Sequence, residues 1–334
     1  MKKSNKALLT AKVLRLIREI KNLDAPNHKE IMVSQAVALW LTELGCARSP
    51  STVKDYTGSV QRYFSAVGDH PLEGFQVDFG ARFMAYLNDL GLELRTVYKH
   101  LSNLQCFFNW AFRNNLTSVQ VRLPRPIKTK KEPRIYTQSQ LREIDAFLLD
   151  QSRLAISERF KALRHNQLRA FRMAVYTAMR GGEIWSLRLE NIRLDTQVIL
   201  LRDVPWIGFR VKGKREERIP IAPALGKFLE TDLASRQPKE QWFLDDGQGK
   251  LAYTSETHLA RPFSEINRAL GIDGVKPLHG IRASVITHLL ELGNEITLVQ
   301  KLARHTLITT TKGYQNTARQ STVGLVRSIM LLGA

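Results

Sequence analysis

The 334-residue chain holds only two cysteines, Cys46 and Cys106. Two thiols cannot form the disulfide framework that staples small secreted domains. Both lie in long apolar helical contexts, so they read as reduced core thiols. No apolar run reaches the roughly 20 residues of a membrane-spanning helix, and the N-terminus lacks the apolar core of a secretory signal. There is no glycine-rich phosphate loop, and the scattered histidines and cysteines keep no metal-ligand spacing. Acidic side chains are also scarce: 31 Asp+Glu face 50 Lys+Arg, for a net charge of +19.

That excess implies a polyanionic partner, either nucleic acid or an acidic membrane surface. It is not a basic tail on a neutral body, because residues 1–130 carry 19 basic and 10 acidic side chains and the remainder is equally biased. With 43% hydrophobic residues the chain has enough apolar surface for two domains with separate cores. A cytosolic, DNA-facing protein is the simplest summary.

The pattern along the chain divides it into five parts. Residues 1–30 read as a basic extension with a short amphipathic helix, its stripe formed by Leu9, Val13, Leu16 and Ile20. Residues 31–120 read as a helical domain, with helices over 31–44, from Pro50 through Phe64, over 79–90 and over 96–112. Ser49 caps the second, with Pro50 at its first position. The last is rich in aromatics (Phe107, Phe108, Trp110, Phe112), which core packing explains better than base stacking. Residues 121–134 read as an extended linker: three prolines exclude a continuous helix, and six basic residues, Arg122, Arg125, Lys128, Lys130, Lys131 and Arg134, suit a path along a phosphate backbone. Helix resumes with a capping box, Thr137 with Gln140. Residues 135–318 form the second domain. In it a helix ends at Arg180-Gly181-Gly182, and another starts at Glu183. Strands are expected over 198–202 and 206–211, with a hairpin to 218–223, and helices from about 224 onward. Residues 319–334 form an apolar-faced terminal helix.

Five passages hold residues that suit one chemistry: Arg180 and Glu183 in TAMRGGEI, Lys212 and Lys214 in FRVKGKREERIPI, His279 and Arg282 in LHGIR, His305 in LARH, and Tyr314 in KGY. Each has an ordinary structural explanation when taken alone. Together, in this order and spacing, they resemble the tyrosine recombinase (phage integrase) family. SPSTVKDY and GLELRTVYKHLSNLQCFFNWA are similar to that family's core-binding domain.

The resemblance implies a mainly α protein with a small β-sheet (α+β). An all-α core-binding domain, a SAM-like helical bundle, precedes the catalytic domain. It implies a site-specific recombinase that cuts and rejoins duplex DNA through a 3′-phosphotyrosyl link. That enzyme acts as a homotetramer through a Holliday junction, without metal, ATP or other cofactor, in the cytoplasm or nucleoid of a prokaryote or from a mobile element. Arg180 and Arg282 would fork onto phosphate oxygens, with His279 and His305 as imidazoles at the phosphate and Tyr314 as nucleophile. A lysine on the hairpin, Lys212 or alternatively Lys214, would protonate the leaving 5′-oxygen, and Glu183 would support the site. Such chemistry rests on positioning and charge stabilisation at an already anionic phosphodiester.

The family usually has glycine before its second histidine, where this chain has Arg304; that side chain is expected to contact DNA or crowd the turn. The terminal helix is expected to dock on a neighbouring protomer. The first 30 residues look too short for a separate arm-site-binding domain. Two other classes stay open. One is a type IB-like topoisomerase, and the other is a non-catalytic sequence-specific DNA-binding protein.

Overall fold

A computed structural model describes residues 31–126, 134–154, 157–212 and 216–315. The expected N-terminal helix, the linker lysines Lys128, Lys130 and Lys131, the alternative lysine Lys214 and the terminal helix lie outside the described residues. The chain divides into two compact units, Met1–Lys130 and Lys131–Ala334.

Among the described residues the first unit has four α-helices, α1 (Val33–Ala47), α2 (Pro50–Val67), α3 (Val77–Asp89) and α4 (Leu94–Arg113). The Ser49 side chain accepts from the Thr52 N–H with Pro50 in the first turn, as the sequence predicts. Such a cap contributes about 1 kcal/mol. Helix α4 buries Val97, Leu101, Leu104, Phe107, Phe108, Trp110 and Ala111. Its aromatics meet Trp40 and Tyr63, with the Trp40–Phe107 centroids 5.4 Å apart and Tyr63–Phe108 6.0 Å apart. Core packing therefore accounts for three of the four clustered aromatics, Phe107, Phe108 and Trp110, while Phe112 is exposed. Neither cysteine belongs to the core: Cys106 is exposed and Cys46 half-buried. Cys106 falls between the buried positions of α4, on the face turned away from the core.

Where the chain leaves this unit it runs extended, and side chains alternate. Val121 and Leu123 are buried while Arg122 and Arg125 face solvent. Gln105 holds the segment by both ends of its amide, donating to the Val121 carbonyl at 2.8 Å and accepting from the Leu123 N–H at 2.9 Å. Pro124 lies so close to Gly80 that a Cβ there would stand 2.8 Å from Pro124 Cδ.

The second unit begins with the Thr137–Gln140 capping box, in which both reciprocal bonds form, at 3.0 and 3.2 Å. It continues through α5 (Gln138–Leu154), α6 (Glu158–Thr177) and the short α7 (Gly181–Trp185). An antiparallel sheet of order β1-β2-β3 follows, built from β1 (Ile192–Arg193), β2 (Val198–Leu201) and β3 (Glu217–Pro220), with Ile199 opposite both Ile192 and Ile219. Then come α8 (Pro223–Ala234), α9 (Glu256–Ala269), α10 (Pro277–Glu291), α11 (Ile296–Ala303) and α12 (Ile308–Gln315). The main core joins Phe171, Met173, Ile199, Ile219, Phe243, Leu244, Phe263 and Ile281. Among the described residues no helix is long and apolar enough to cross a membrane.

The structure corrects one expected strand. Residues 206–211 do not pair with 218–223; β2 itself pairs with β3. Pro205 opens a 3₁₀ turn over Pro205–Ile207, and Gly208 follows at φ 79°. Val204 and Phe209 exchange backbone bonds at 3.1 and 3.2 Å, which closes the segment on itself. Proline cannot donate to a ladder and a left-handed residue breaks extension, so the apolar run folds into a compact turn.

Candidate active site

Helix α6 ends at Ala178, a left-handed residue (φ 49°, ψ 29°), and α11 ends the same way at Arg304 (φ 54°, ψ 46°). A helix that stops leaves its last carbonyls unpaired, at the negative end of the helix dipole. The Arg282 guanidinium, delivered by α10, fills the space between these two ends. Its Nη1 donates to the Ala178 carbonyl and its Nη2 to the Ala303 carbonyl. The residue is only 2% exposed. Burial, with Arg180 and Arg304 nearby, pushes its pKa down to about 10, so it remains a cation at neutral pH.

Arg180 stands at the start of α7. Glu183, in the first turn of that helix, accepts from the Arg180 backbone N–H at 2.8 Å through Oε2 and from Arg180 Nη1 at 2.8 Å through Oε1. Burial alone would raise the Glu183 pKa. Arg304, the Arg180 backbone and the Arg180 guanidinium overcome that and hold it below the usual carboxylate range. The two glycines after Arg180 answer to a close approach. A Cβ on Gly181 would stand 2.6 Å from Leu278 Cδ2 and 2.8 Å from Glu256 Oε1. Glu256 thus sits behind α7 and accepts from the Gly182 N–H; burial and the neighbouring Glu183 push its pKa up.

His305 follows the α11 terminus directly. Its backbone N–H donates to the Gln300 carbonyl at 3.1 Å, and Gln300 Nε2 returns a bond to the His305 carbonyl at 2.9 Å. Its Nδ1 lies 2.9 Å from the buried Thr311 hydroxyl. Desolvation, then Arg282, Arg180, Arg304 and Lys212, lower its pKa to about 4, which leaves the ring neutral at pH 7. The Tyr314 ring, on α12, lies parallel to the His305 ring, with an interplanar angle of 6° and centroids 5.8 Å apart. Tyr314 is half-buried against Ala178, Ile286, Leu290, Val299 and Ala303.

His279, one turn before Arg282 on α10, is exposed. Partial desolvation, then Arg282, Lys276 and Arg180, lower its pKa. Lys212 is exposed and leaves the compact turn just described, after the Val211 N–H has donated to Asp203 Oδ1 at 2.7 Å.

A family model, the phage integrase family, matches residues 137–321, more than half of the chain and the whole stretch from Arg180 to Tyr314. The chain belongs to the phage integrase family, the tyrosine recombinases. It is 24% identical to tyrosine recombinase XerD of Oceanobacillus iheyensis over 285 residues, which covers 81% of this chain and 89% of that one. It is 24% identical to tyrosine recombinase XerA of Thermococcus kodakarensis over 269 residues, covering 80% and 85%. Two solved structures share the fold. The Tn1549 transposon integrase in complex with transposon right end DNA has a TM-score of 0.69 at 15% identity, covering 91% of this chain and 100% of that chain. A λ integrase dimer bound to a core site has a TM-score of 0.67 at 16% identity, covering 93% and 87%. The enzyme class is that of site-specific DNA recombinases.

In this tyrosine recombinase, Arg180 and Glu183 are bonded to each other, His305 and Tyr314 meet ring to ring, and Arg282 grips the two helix ends that lead to Arg180 and to Arg304-His305. His279 and Lys212 stand close enough to be coupled by charge, His279 to Arg282 and Arg180, and Lys212 to His305. Arg122 and Arg125 belong to the other unit. Arg304 is turned inward: its Nη2 donates to Glu183 Oε2 at 2.7 Å and its Nη1 to the Leu302 carbonyl at 3.0 Å. An L-residue in the left-handed region costs ~1–2 kcal/mol, which the bond to a buried carboxylate offsets. Sequence reading did not find Glu256, Thr311 or the two capping carbonyls. The Gly181-Gly182 pair was the one signal of a close neighbour, and it did not say which.

Proposed function

We propose that Tyr314 attacks a DNA phosphodiester and forms a 3′-phosphotyrosyl link. The bond from phosphorus to the 5′-oxygen breaks, and Lys212 supplies the proton that the departing 5′-oxygen takes. Arg180 and Arg282 stabilise the charge on the nonbridging oxygens. The two bonds Arg282 makes to carbonyls use two of its five N–H donors and leave others for phosphate. His279 and His305 in their neutral forms each present a ring nitrogen to the phosphate or to the phenol proton; with Nδ1 of His305 engaged by Thr311, its Nε2 does one or the other. The covalent link keeps the energy of the broken diester, so resealing needs no ATP, and no step requires a metal. The observation that carries this reading is the convergence of Arg180, Arg282, His305 and Tyr314 from four separate segments, with the His305 and Tyr314 rings parallel at 5.8 Å.

The partner is double-stranded DNA. Residues 31–120 act as the core-binding domain, residues 121–134 run along the backbone with Arg122 and Arg125 outward, and residues 135–318 hold the chemistry. Four protomers on two sites exchange strands through a Holliday junction, and residues 319–334 dock on a neighbouring protomer. The test starts from DNA fragments selected by binding from a random-sequence pool. A nick placed near the bound site traps the cut strand, so wild-type protein with chelator present gives a covalent adduct on a denaturing gel. An adduct that persists in Tyr314→Phe sinks the nucleophile. Relaxation of supercoiled plasmid lacking the selected sequence would move the reading to a topoisomerase.

A further inference from the structure

We propose that Arg304 is a positioning residue for DNA cleavage, tying the turn that carries His305 to the helix that carries Arg180, with Glu183 as their shared anchor. The inference rests on the reading of the site above. Three features of Arg304 work against the fold. Its backbone stands at φ 54°, where glycine has least strain. Its side chain is only 7% exposed and shares the site with Arg180 and Arg282, which are like charges. Its buried Nε has no acceptor among the described residues. Glycine at 304 would remove all three. A residue kept under such strain points to a role beyond stability.

What Arg304 makes in return is a closed ring. Its Nη2 donates to Glu183 Oε2 at 2.7 Å, Glu183 Oε1 accepts from Arg180 Nη1 at 2.8 Å, and Arg180 Nη2 donates to the Arg304 carbonyl at 3.3 Å. The Arg180 guanidinium is therefore oriented from two sides, and both sides depend on residue 304. With glycine the carbonyl remains, but Glu183 Oε2 keeps only the Arg180 backbone N–H and loses the guanidinium that holds the carboxylate from the His305 side.

The test uses Arg304→Gly in the full chain. A melting temperature equal to or above wild type is expected, with retention of selected DNA within about twofold. Single-turnover adduct formation at saturating DNA falls about tenfold, less than the ~10²-fold that an ångström of misplacement costs. Arg304→Lys, which still reaches Glu183 with one donor, recovers at least half of that loss on a logarithmic scale. A glycine variant within twofold of wild type in rate overturns the proposal. So does a loss of rate matched by an equal loss of folded protein. If the wild type itself gives no adduct on any selected DNA, the reading of the site fails, and Arg304 is judged without DNA. Side-chain ¹⁵N resonances of Arg180, assigned through Arg180→Lys, should lose their dispersion in Arg304→Gly; unchanged resonances then reject the positioning role.

Discussion

Two clusters of buried arginine lie in the second unit, and they are built on opposite principles. In one, Arg169 donates to Asp232 at 2.6 Å, and Arg236 donates to Asp232 and to Glu240, each at 2.8 Å. Two guanidinia meet two carboxylates, and Arg236 also donates to the Phe243 carbonyl at 2.8 Å. In the other, Arg180, Arg282 and Arg304 share a single bonded carboxylate, Glu183, and Arg282 is held by carbonyls alone. Buried charge is tolerated where it is paired. The first cluster is electrically complete, whereas the second keeps a surplus of positive charge that an anion such as a phosphate would balance.

Mutations should separate the two. The largest effect is expected from Tyr314→Phe, which abolishes the covalent adduct while DNA retention stays within about twofold; a denaturing gel and a binding assay read both. Arg236→Ala breaks the complete cluster, leaving Glu240 without its cation and Asp232 with Arg169 alone. It should lower stability by ~3–5 kcal/mol in chemical denaturation, with the adduct rate per folded molecule unchanged. Arg180→Lys should do the reverse, because a lysine cannot fork onto a phosphate. Its single-turnover rate falls by about 10²–10³-fold while the denaturation midpoint barely moves. Equal behaviour of Arg236 and Arg180 in these two assays would erase the distinction.

The smallest effect is in pH. His305 titrates near 6.5 when unfolded and at about 4 when folded. Above 6.5 the ring is neutral in both states and its stabilising share is fully present. As pH falls from 6.5 towards 4, the unfolded chain takes up the proton first, so stability is lost across that window and levels below it. The melting temperature of wild type should therefore drop relative to His305→Gln between pH 6.5 and 4, and run parallel to it above 6.5.

How much of this was legible depended on the range of the interaction. The Ser49 cap and the Thr137–Gln140 box were readable because both partners lie within three residues. The family was legible in the order of residues from Arg180 to Tyr314 because residue types and spacing survive without coordinates. Cys106 was misplaced because one residue in an aromatic-rich helix does not announce its face. Residues 206–211 were read as a strand from their apolar character, although Pro205 and Gly208 decide their turn. The two residues of β1 carry no periodicity at all. Arg304 was expected to contact DNA or crowd the turn; its bond to Glu183 was not legible because Glu183 lies 121 positions away in sequence, and only the folded chain brings the two together.

The Arg282 clamp has a consequence for synthesis. The carbonyls it grips belong to Ala178 and Ala303, each two positions ahead of a residue of the site, Arg180 and His305. A chain released early, before residue 282, holds Arg180 and Lys212 but lacks the guanidinium that brings the two helix ends together. Tyr314, the proposed nucleophile, comes later still. Unfinished copies of a DNA-cutting protein would thus be harmless to the chromosome, because the site comes into existence only when nearly the whole unit has been made.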